Sequence, residues 1–373
     1  MSVVHTEEKP YSPGLAGVVA GETAIATTHD TLRYRGYPIE QLAEYSTYEE
    51  VVFLLLEGHL PTQKEYDEFC VDLAARREVP EPLWNMIRLL PPGANVMDVL
   101  RTSISFLGSF YASEDPQSAA RDVVAKLPTI LTGAWRILSK SGDPIAPNPH
   151  LGHAANFFAM LRGKLPPAED LHTFDQSLII YAEHEFNAST FAARVTVSTL
   201  SDLWSGITSA IGTLKGPLHG GANEEAMKML LAIGSVDQAE PYILNELTQK
   251  HLIWGFGHRI YKNGDQRARI MRERLIELGE RWNEPKWGEI SDRITAVMER
   301  EKHLFPNVDF PCGAVYYLLG LPLELYTPIF VMARCAGWSA HIIEQLAHNR
   351  IFRPNSLYTG PEHQDYVPIS KRS

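Results

Sequence analysis

The chain has 373 residues, 45% of them hydrophobic and 21% charged, an ordinary globular balance that can bury a large core without disulfides. Its formal charge is −11, from 34 Lys and Arg against 45 Asp and Glu, which disfavours general binding to a phosphate backbone. Three unclustered cysteines, Cys70, Cys312 and Cys335, exclude a disulfide framework and a thiolate zinc site. With no apolar run near the ~20 residues of a membrane span and no signal-peptide pattern at the start, a cytoplasmic protein is expected.

Residues 11–37 scatter Gly14, Gly17, Gly21 and Gly36 among threonines and β-branched residues, a pattern of turns and a small hairpin. From Tyr48 onward apolar residues recur three or four apart, the period of helices with one buried face. Thr47 with Glu50 reads as a capping box opening a helix that ends near Gly58, and Pro61 with Thr62 opens the next. The same period predicts helices over 98–110, 118–139, 151–161, 175–213, 222–233, 239–251, 265–279, 289–302, 313–319 and 326–347. Gly and Pro punctuate them, as at Pro91-Pro92-Gly93 and Pro166-Pro167. No stretch alternates long enough for an extended strand, so the expected fold class is all-α. Breaks at 216–221 and 305–311 bracket a segment, 217–316, that reads as a small domain inserted in a large helical domain made of 1–216 and 317–373.

Several stretches carry chemistry. In Gly216-Pro217-Leu218-His219-Gly220-Gly221, glycines let the backbone approach a ligand, and His219 stands just ahead of the helix at 222–233. The partial positive charge of a helix start disfavours imidazolium and suits a neutral donor to a developing oxyanion; a tight turn with an incidental histidine reads the same way. Gly255-Phe256-Gly257-His258, followed by Arg259, Lys262 and Arg267, reads as a loop that holds an anion and polarises a carbonyl, or as a solvated basic loop. Ile260 stands where a dinucleotide fingerprint needs its third glycine. Phe305-Pro306-Asn307-Val308-Asp309-Phe310-Pro311 sets one carboxylate among apolar neighbours at a helix start, either a base or a plain cap. Arg334 lies within an apolar helix and needs an anionic partner, from a substrate or from a structural ion pair; Arg350 and Arg353 add further guanidiniums. Glu183-His184-Glu185-Phe186-Asn187 reads as helical, with His184 and Asn187 on one face, and Ala188 stands where a zinc-protease motif needs histidine. His341, Glu344 and His348 share another helix face; without a second such helix they read as a polar stripe, and no metal is assigned.

Together these residues resemble the citrate synthase family. Gly-Pro-Leu-His219-Gly-Gly-Ala-Asn-Glu, Gly-Phe-Gly-His258-Arg-Ile-Tyr-Lys, Phe-Pro-Asn-Val-Asp309-Phe, Ala-Arg334-Cys-Ala-Gly-Trp and Phe-Arg353-Pro-Asn-Ser-Leu-Tyr-Thr-Gly stand in the family's order across nearly the whole chain. The resemblance implies an almost all-helical homodimer with a large and a small domain. It implies condensation of acetyl-CoA with oxaloacetate, then thioester hydrolysis to citrate and CoA. Asp309 resembles the base at the acetyl methyl, His219 the donor to the enol oxygen, and His258 the group that polarises the oxaloacetate ketone. His184, Arg267, Arg334 and Arg353 resemble the carboxylate ligands, with Arg353 reaching in from the partner subunit, and Lys262 resembles a contact to a CoA phosphate. No permanently bound cofactor is implied, since acetyl-CoA and CoA come and go as co-substrate and product. The run from Tyr181 to Phe191 and His341-Ile-Ile-Glu-Gln are also similar to 2-methylcitrate synthases, which use propionyl-CoA. Leu218 and Arg259 lean toward citrate synthase, while Pro311-Cys312-Gly313-Ala314 is less typical. A non-catalytic, metabolite-binding helical scaffold would keep the arginines but has no use for Asp309 and two loop histidines together. A metal hydrolase stands further off.

Overall fold

The computed structural model describes residues 12–111, 115–258, 260–261 and 264–372. A short antiparallel sheet comes first, its two-residue strands β1 (Ala26–Thr27), β2 (Arg33–Tyr34) and β3 (Tyr37–Pro38) paired in chain order, Ala26 against Tyr34 and Tyr34 against Tyr37. Among the described residues, sixteen α-helices follow. The first eight are α1 (Ile39–Tyr45), α2 (Tyr48–Glu57), α3 (Gln63–Ala75), α4 (Glu81–Arg88), α5 (Val96–Gly108), α6 (Pro116–Leu138), α7 (His153–Arg162) and α8 (Ala168–Tyr181). The rest are α9 (Ala188–Val197), α10 (Leu203–Leu214), α11 (Ala222–Ile233), α12 (Val236–Thr248), α13 (Gln266–Arg281), α14 (Lys286–Lys302), α15 (Asp309–Leu318) and α16 (Tyr326–Ala347). The fold is mostly helical, as the residue pattern led us to expect, and none of the described helices is long and apolar enough to cross a membrane.

Local chemistry explains most of the boundaries. Thr47 accepts the Glu50 N–H at the start of α2, and Gly58 ends that helix at φ 88°. The Glu50 carboxylate instead takes the Ser46 hydroxyl at 2.6 Å, so the reciprocal box is complete only at Thr62 and Glu65 of α3. The core is organised around α16, which is buried along nearly its whole length and packs against α2, α6, α8, α9 and α10. Helices α11 to α15 pack mainly on one another, while α13 also touches α1 and α8.

One expectation fails in an informative place. The residues 175–213 form not one helix but parts of three, α8, α9 and α10. Glu185 at φ 50° and Leu200 at φ 65° leave the helical region, Asn187 caps α9 through the Thr190 N–H, and Asp202 caps α10 through the Ser205 N–H. Glu183-His184-Glu185 is therefore a loop and not the helical face read from its spacing. The Tyr34 hydroxyl pins that turn, accepting the Glu183 N–H and lying within 3.3 Å of the Ile179, Ile180 and Glu183 carbonyls. Helices α1 and α4 add two elements absent from the sequence pattern, and α15 begins at Asp309, four residues before the start that the pattern predicts.

Candidate active site

Asp309 is the first residue of α15, half-buried, with Pro311 in the same first turn, where a missing N–H costs nothing. Its Oδ1 accepts a hydrogen bond of 2.7 Å from the Tyr181 hydroxyl at the end of α8. Its Oδ2 has no hydrogen-bond partner among the described residues. Burial pushes its pKa up to about 6; the Tyr181 bond and the Arg267 and Arg334 charges oppose that rise, and Asp265 adds to it. At neutral pH the group is ionised yet more basic than an ordinary carboxylate.

His219 sits in the turn that leads into α11 and is half-buried. Its Nε2 receives the Ser189 backbone N–H at 3.2 Å, and Ser189 Oγ lies 2.8 Å away. A backbone N–H can only donate, so Nε2 is an acceptor and the neutral ring carries its proton on Nδ1. Burial, with help from Arg334, lowers the His219 pKa to about 4, so the ring stays neutral at physiological pH. Trp338 of α16 donates its indole N–H to Ser189 Oγ at 3.1 Å, and Ser189 is fully buried.

His258 is fixed in the complementary sense. Its Nδ1 accepts the Ile260 and Tyr261 N–H groups at 3.1 and 3.2 Å, which leaves the proton of the neutral ring on Nε2. The Tyr261 ring stacks on it with centroids 4.6 Å apart, and the Tyr261 hydroxyl lies 3.0 Å from His184 Nε2. His184 is buried, its ring edge-on to His258 at 5.2 Å. Burial, Arg267, Arg334 and His258 together hold His184 well below the usual imidazole range.

Two buried guanidiniums complete the cluster. Arg267 forms a two-pronged ion pair with Asp265, Nε to Oδ1 at 3.0 Å and Nη2 to Oδ2 at 2.8 Å. Burial works against its charge, but Asp265 outweighs that and keeps the group above its ordinary pKa. Asp265 also accepts the Val308 N–H at 3.3 Å and thereby ties the arginine to the segment that carries Asp309. Arg334 differs. Its Nε donates to the Tyr181 carbonyl at 2.5 Å, and no carboxylate among the described residues lies within ion-pair distance. Burial pushes its pKa down to about 10, where it is still cationic at neutral pH. The Phe330 ring links these groups: the Arg334 guanidinium lies 4.7 Å from its centroid, the Tyr181 ring 4.4 Å and the His219 ring 6.5 Å.

Arg353 is not part of this cluster within its own chain. It is exposed, bonded to Asn355 Oδ1 at 3.3 Å, in an extended tail beyond α16. Lys262 and Arg259 lie outside the described residues. His341 and Glu344 are engaged in a polar network. His341 donates to the buried Glu183 at 2.9 Å and accepts from Arg194, which also pairs with Glu344 at 2.7 Å. Tyr181, Ser189, Tyr261 and Asp265 had no role in the sequence reading, although each lies in or beside a motif quoted there.

Two histidines with opposite tautomers, a carboxylate of raised pKa and two buried arginines place a base, neutral hydrogen-bond donors and cations in one region of the fold, groups suited to acid–base chemistry on an anionic substrate. The family profile described as citrate synthase, C-terminal domain, matches residues 14–355. The chain belongs to the citrate synthase family. It is 45% identical over 368 residues to citrate synthase 2 of Bacillus subtilis, covering 96% of this chain and 99% of that one. It is 42% identical over 379 residues to 2-methylcitrate synthase 1 of Corynebacterium glutamicum, covering 96% and 98%. A solved ternary complex of carboxymethyl coenzyme A and oxaloacetate with citrate synthase from Thermoplasma acidophilum matches with a TM-score of 0.91 at 31% identity, covering 97% of this chain and 100% of that one. This protein is a condensing acyltransferase of that family.

Proposed function

We propose that the protein is a citrate synthase, joining acetyl-CoA to oxaloacetate and releasing citrate and CoA. The observation that carries this reading is that Phe330 packs against the donor His219, the cation Arg334 and Tyr181, whose hydroxyl holds the base Asp309, while the second donor, His258, packs on His184. Arg334, buried without a protein carboxylate partner among the described residues, receives one carboxylate of oxaloacetate, and Arg267 and His184 help to hold the molecule.

The chemistry follows from the tautomers. A thioester methyl is too weak an acid for a carboxylate to make a free enolate in water. Asp309 takes the methyl proton while His219 Nδ1–H hydrogen-bonds the thioester oxygen, so negative charge never accumulates unpaired. His258 Nε2–H polarises the ketone of oxaloacetate, the enol carbon attacks it, and water then cleaves the thioester. The arginines fix the dicarboxylate so that the two carbons meet in one orientation. Lys262 is assigned to a CoA phosphate on the resemblance of its motif alone. The segment 217–316 serves as the small domain that completes the site against the larger helical body.

A second reading, 2-methylcitrate synthase with propionyl-CoA, has support in the 42% identity to a relative of that name. One methylene is worth only about 1–3 kcal/mol in an acyl pocket, so the comparison of kcat/KM for the two acyl-CoAs decides between them.

Thiol release from acetyl-CoA must require oxaloacetate; its absence sinks the condensation reading. Asp309→Asn should lower kcat by about 100-fold or more, in line with general-base catalysis, with oxaloacetate Kd nearly unchanged. We further assign Arg353 to the site of a partner subunit in a homodimer. Inactive Asp309→Asn and Arg353→Ala chains, refolded together, should then regain about a quarter of the wild-type activity, because one site of each mixed dimer is intact. No regain means that Arg353 serves its own chain, and an Arg353→Ala chain that is active by itself means that it serves neither.

A further inference from the structure

Tyr181 belongs to no motif element given a role above, yet it makes two contacts to the reacting apparatus. Its hydroxyl donates to Asp309 Oδ1 at 2.7 Å, and its carbonyl accepts from Arg334 Nε at 2.5 Å. The side chain is fully buried against Phe330, so its rotamer is fixed by packing. It comes from the last residue of α8, whereas Asp309 opens α15, so the bond joins two elements far apart in the chain.

We propose that Tyr181 is the positioning residue of the base: its hydroxyl occupies Oδ1 of Asp309, leaving Oδ2 as the oxygen that faces the acyl methyl group. This rests on the condensation reading and adds to it the choice of oxygen. A carboxylate pivoting about its Cβ–Cγ bond would offer either oxygen; one occupied lone pair fixes the plane of the group. The neighbours do not supply the same restraint. Asp265 and Arg267, at the start of α13, bond each other, Arg334 of α16 bonds a carbonyl, and Cys312 and Tyr316, on α15 itself, face Tyr181. The hydroxyl also favours the ionised carboxylate against the burial that disfavours it, so its loss has a defined sign.

The test is the pH dependence of kcat/KM for acetyl-CoA at saturating oxaloacetate. Tyr181→Phe keeps the ring and the carbonyl that holds Arg334. It should move the acid limb to higher pH by about one unit, as expected for losing a hydrogen bond to a charged group. KM for oxaloacetate should stay within about twofold, because the arginine contact is to the backbone. Placing 3-fluorotyrosine at position 181 makes a stronger donor of nearly the same size, and the limb should move the opposite way. A purely structural Tyr181 lowers stability and leaves both limbs where they are; that outcome in an active wild-type background overturns the assignment. A wild type without oxaloacetate-dependent turnover overturns the reading beneath it instead. If Tyr181→Phe fails to fold, the fluorotyrosine shift alone decides.

Discussion

Ser189 meets His219 with its backbone N–H, and Tyr261 meets His258 in the same way, so each proton is set by a group that has no alternative but to donate. The two rings are thus held as opposite tautomers by backbone N–H groups. With His219 near pKa 4 and Asp309 near 6, acid protonates Asp309 before His219, and the rate on the acid side should fall as Asp309 takes up its proton. Ser189→Ala leaves the backbone N–H but takes the hydroxyl from His219 and leaves the Trp338 indole N–H without its acceptor. We expect about 1–3 kcal/mol of lost stability in urea unfolding from the stranded N–H. We also expect lower kcat at unchanged oxaloacetate affinity, and an unaltered kcat would show that the backbone contact alone holds the ring. At this scale His219, His258 and Asp309 stood out as candidates, because glycine-flanked histidines and a lone acid in an apolar helix start are unusual. Ser189, Tyr261 and Asp265 were not, because they act on other side chains and carry no signature of their own.

Among the elements, the break between α8 and α9 matters most. The apolar period runs straight through 175–213, and it hides two caps, Asn187 and Asp202, that compete successfully for the backbone. His184 points into the site because the chain leaves the helix there. Gly337 on α16 lets this turn approach: its N–H donates to the Ala182 carbonyl at 3.1 Å, and a Cβ would overlap that carbonyl and Glu183 Oε2. Gly337→Ala should therefore cost about 1–3 kcal/mol or more through overpacking against backbone. It should also weaken oxaloacetate binding by displacing His184. Calorimetry showing normal affinity in a destabilised variant would separate the helix contact from the site. Helices α1 and α4 escaped the pattern because they are only 7 and 8 residues long and begin beside prolines, too short for a repeat to show.

Across the molecule, fold class and family were both readable from one chain, because helical periodicity is dense and the family's motifs sit at helix ends. The arrangement of helices was not readable. That α16 forms the buried spine, and that α8 and α15 meet at Tyr181 and Asp309, depends on contacts between residues more than a hundred positions apart.

Arg334 gives this arrangement a wider consequence. Its guanidinium lies in the core with no carboxylate at ion-pair distance among the described residues, so under the proposed function a bound dianion would supply the opposing charge. Oxaloacetate at about a hundred times its Kd should add about 2.7 kcal/mol to the folded state by mass action, visible as a higher Tm. An unmoved Tm at that concentration would mean the dianion does not bind the native fold. Resistance to heat and proteases would then rise and fall with the supply of one metabolite, so the catalyst lasts longest where its work is waiting.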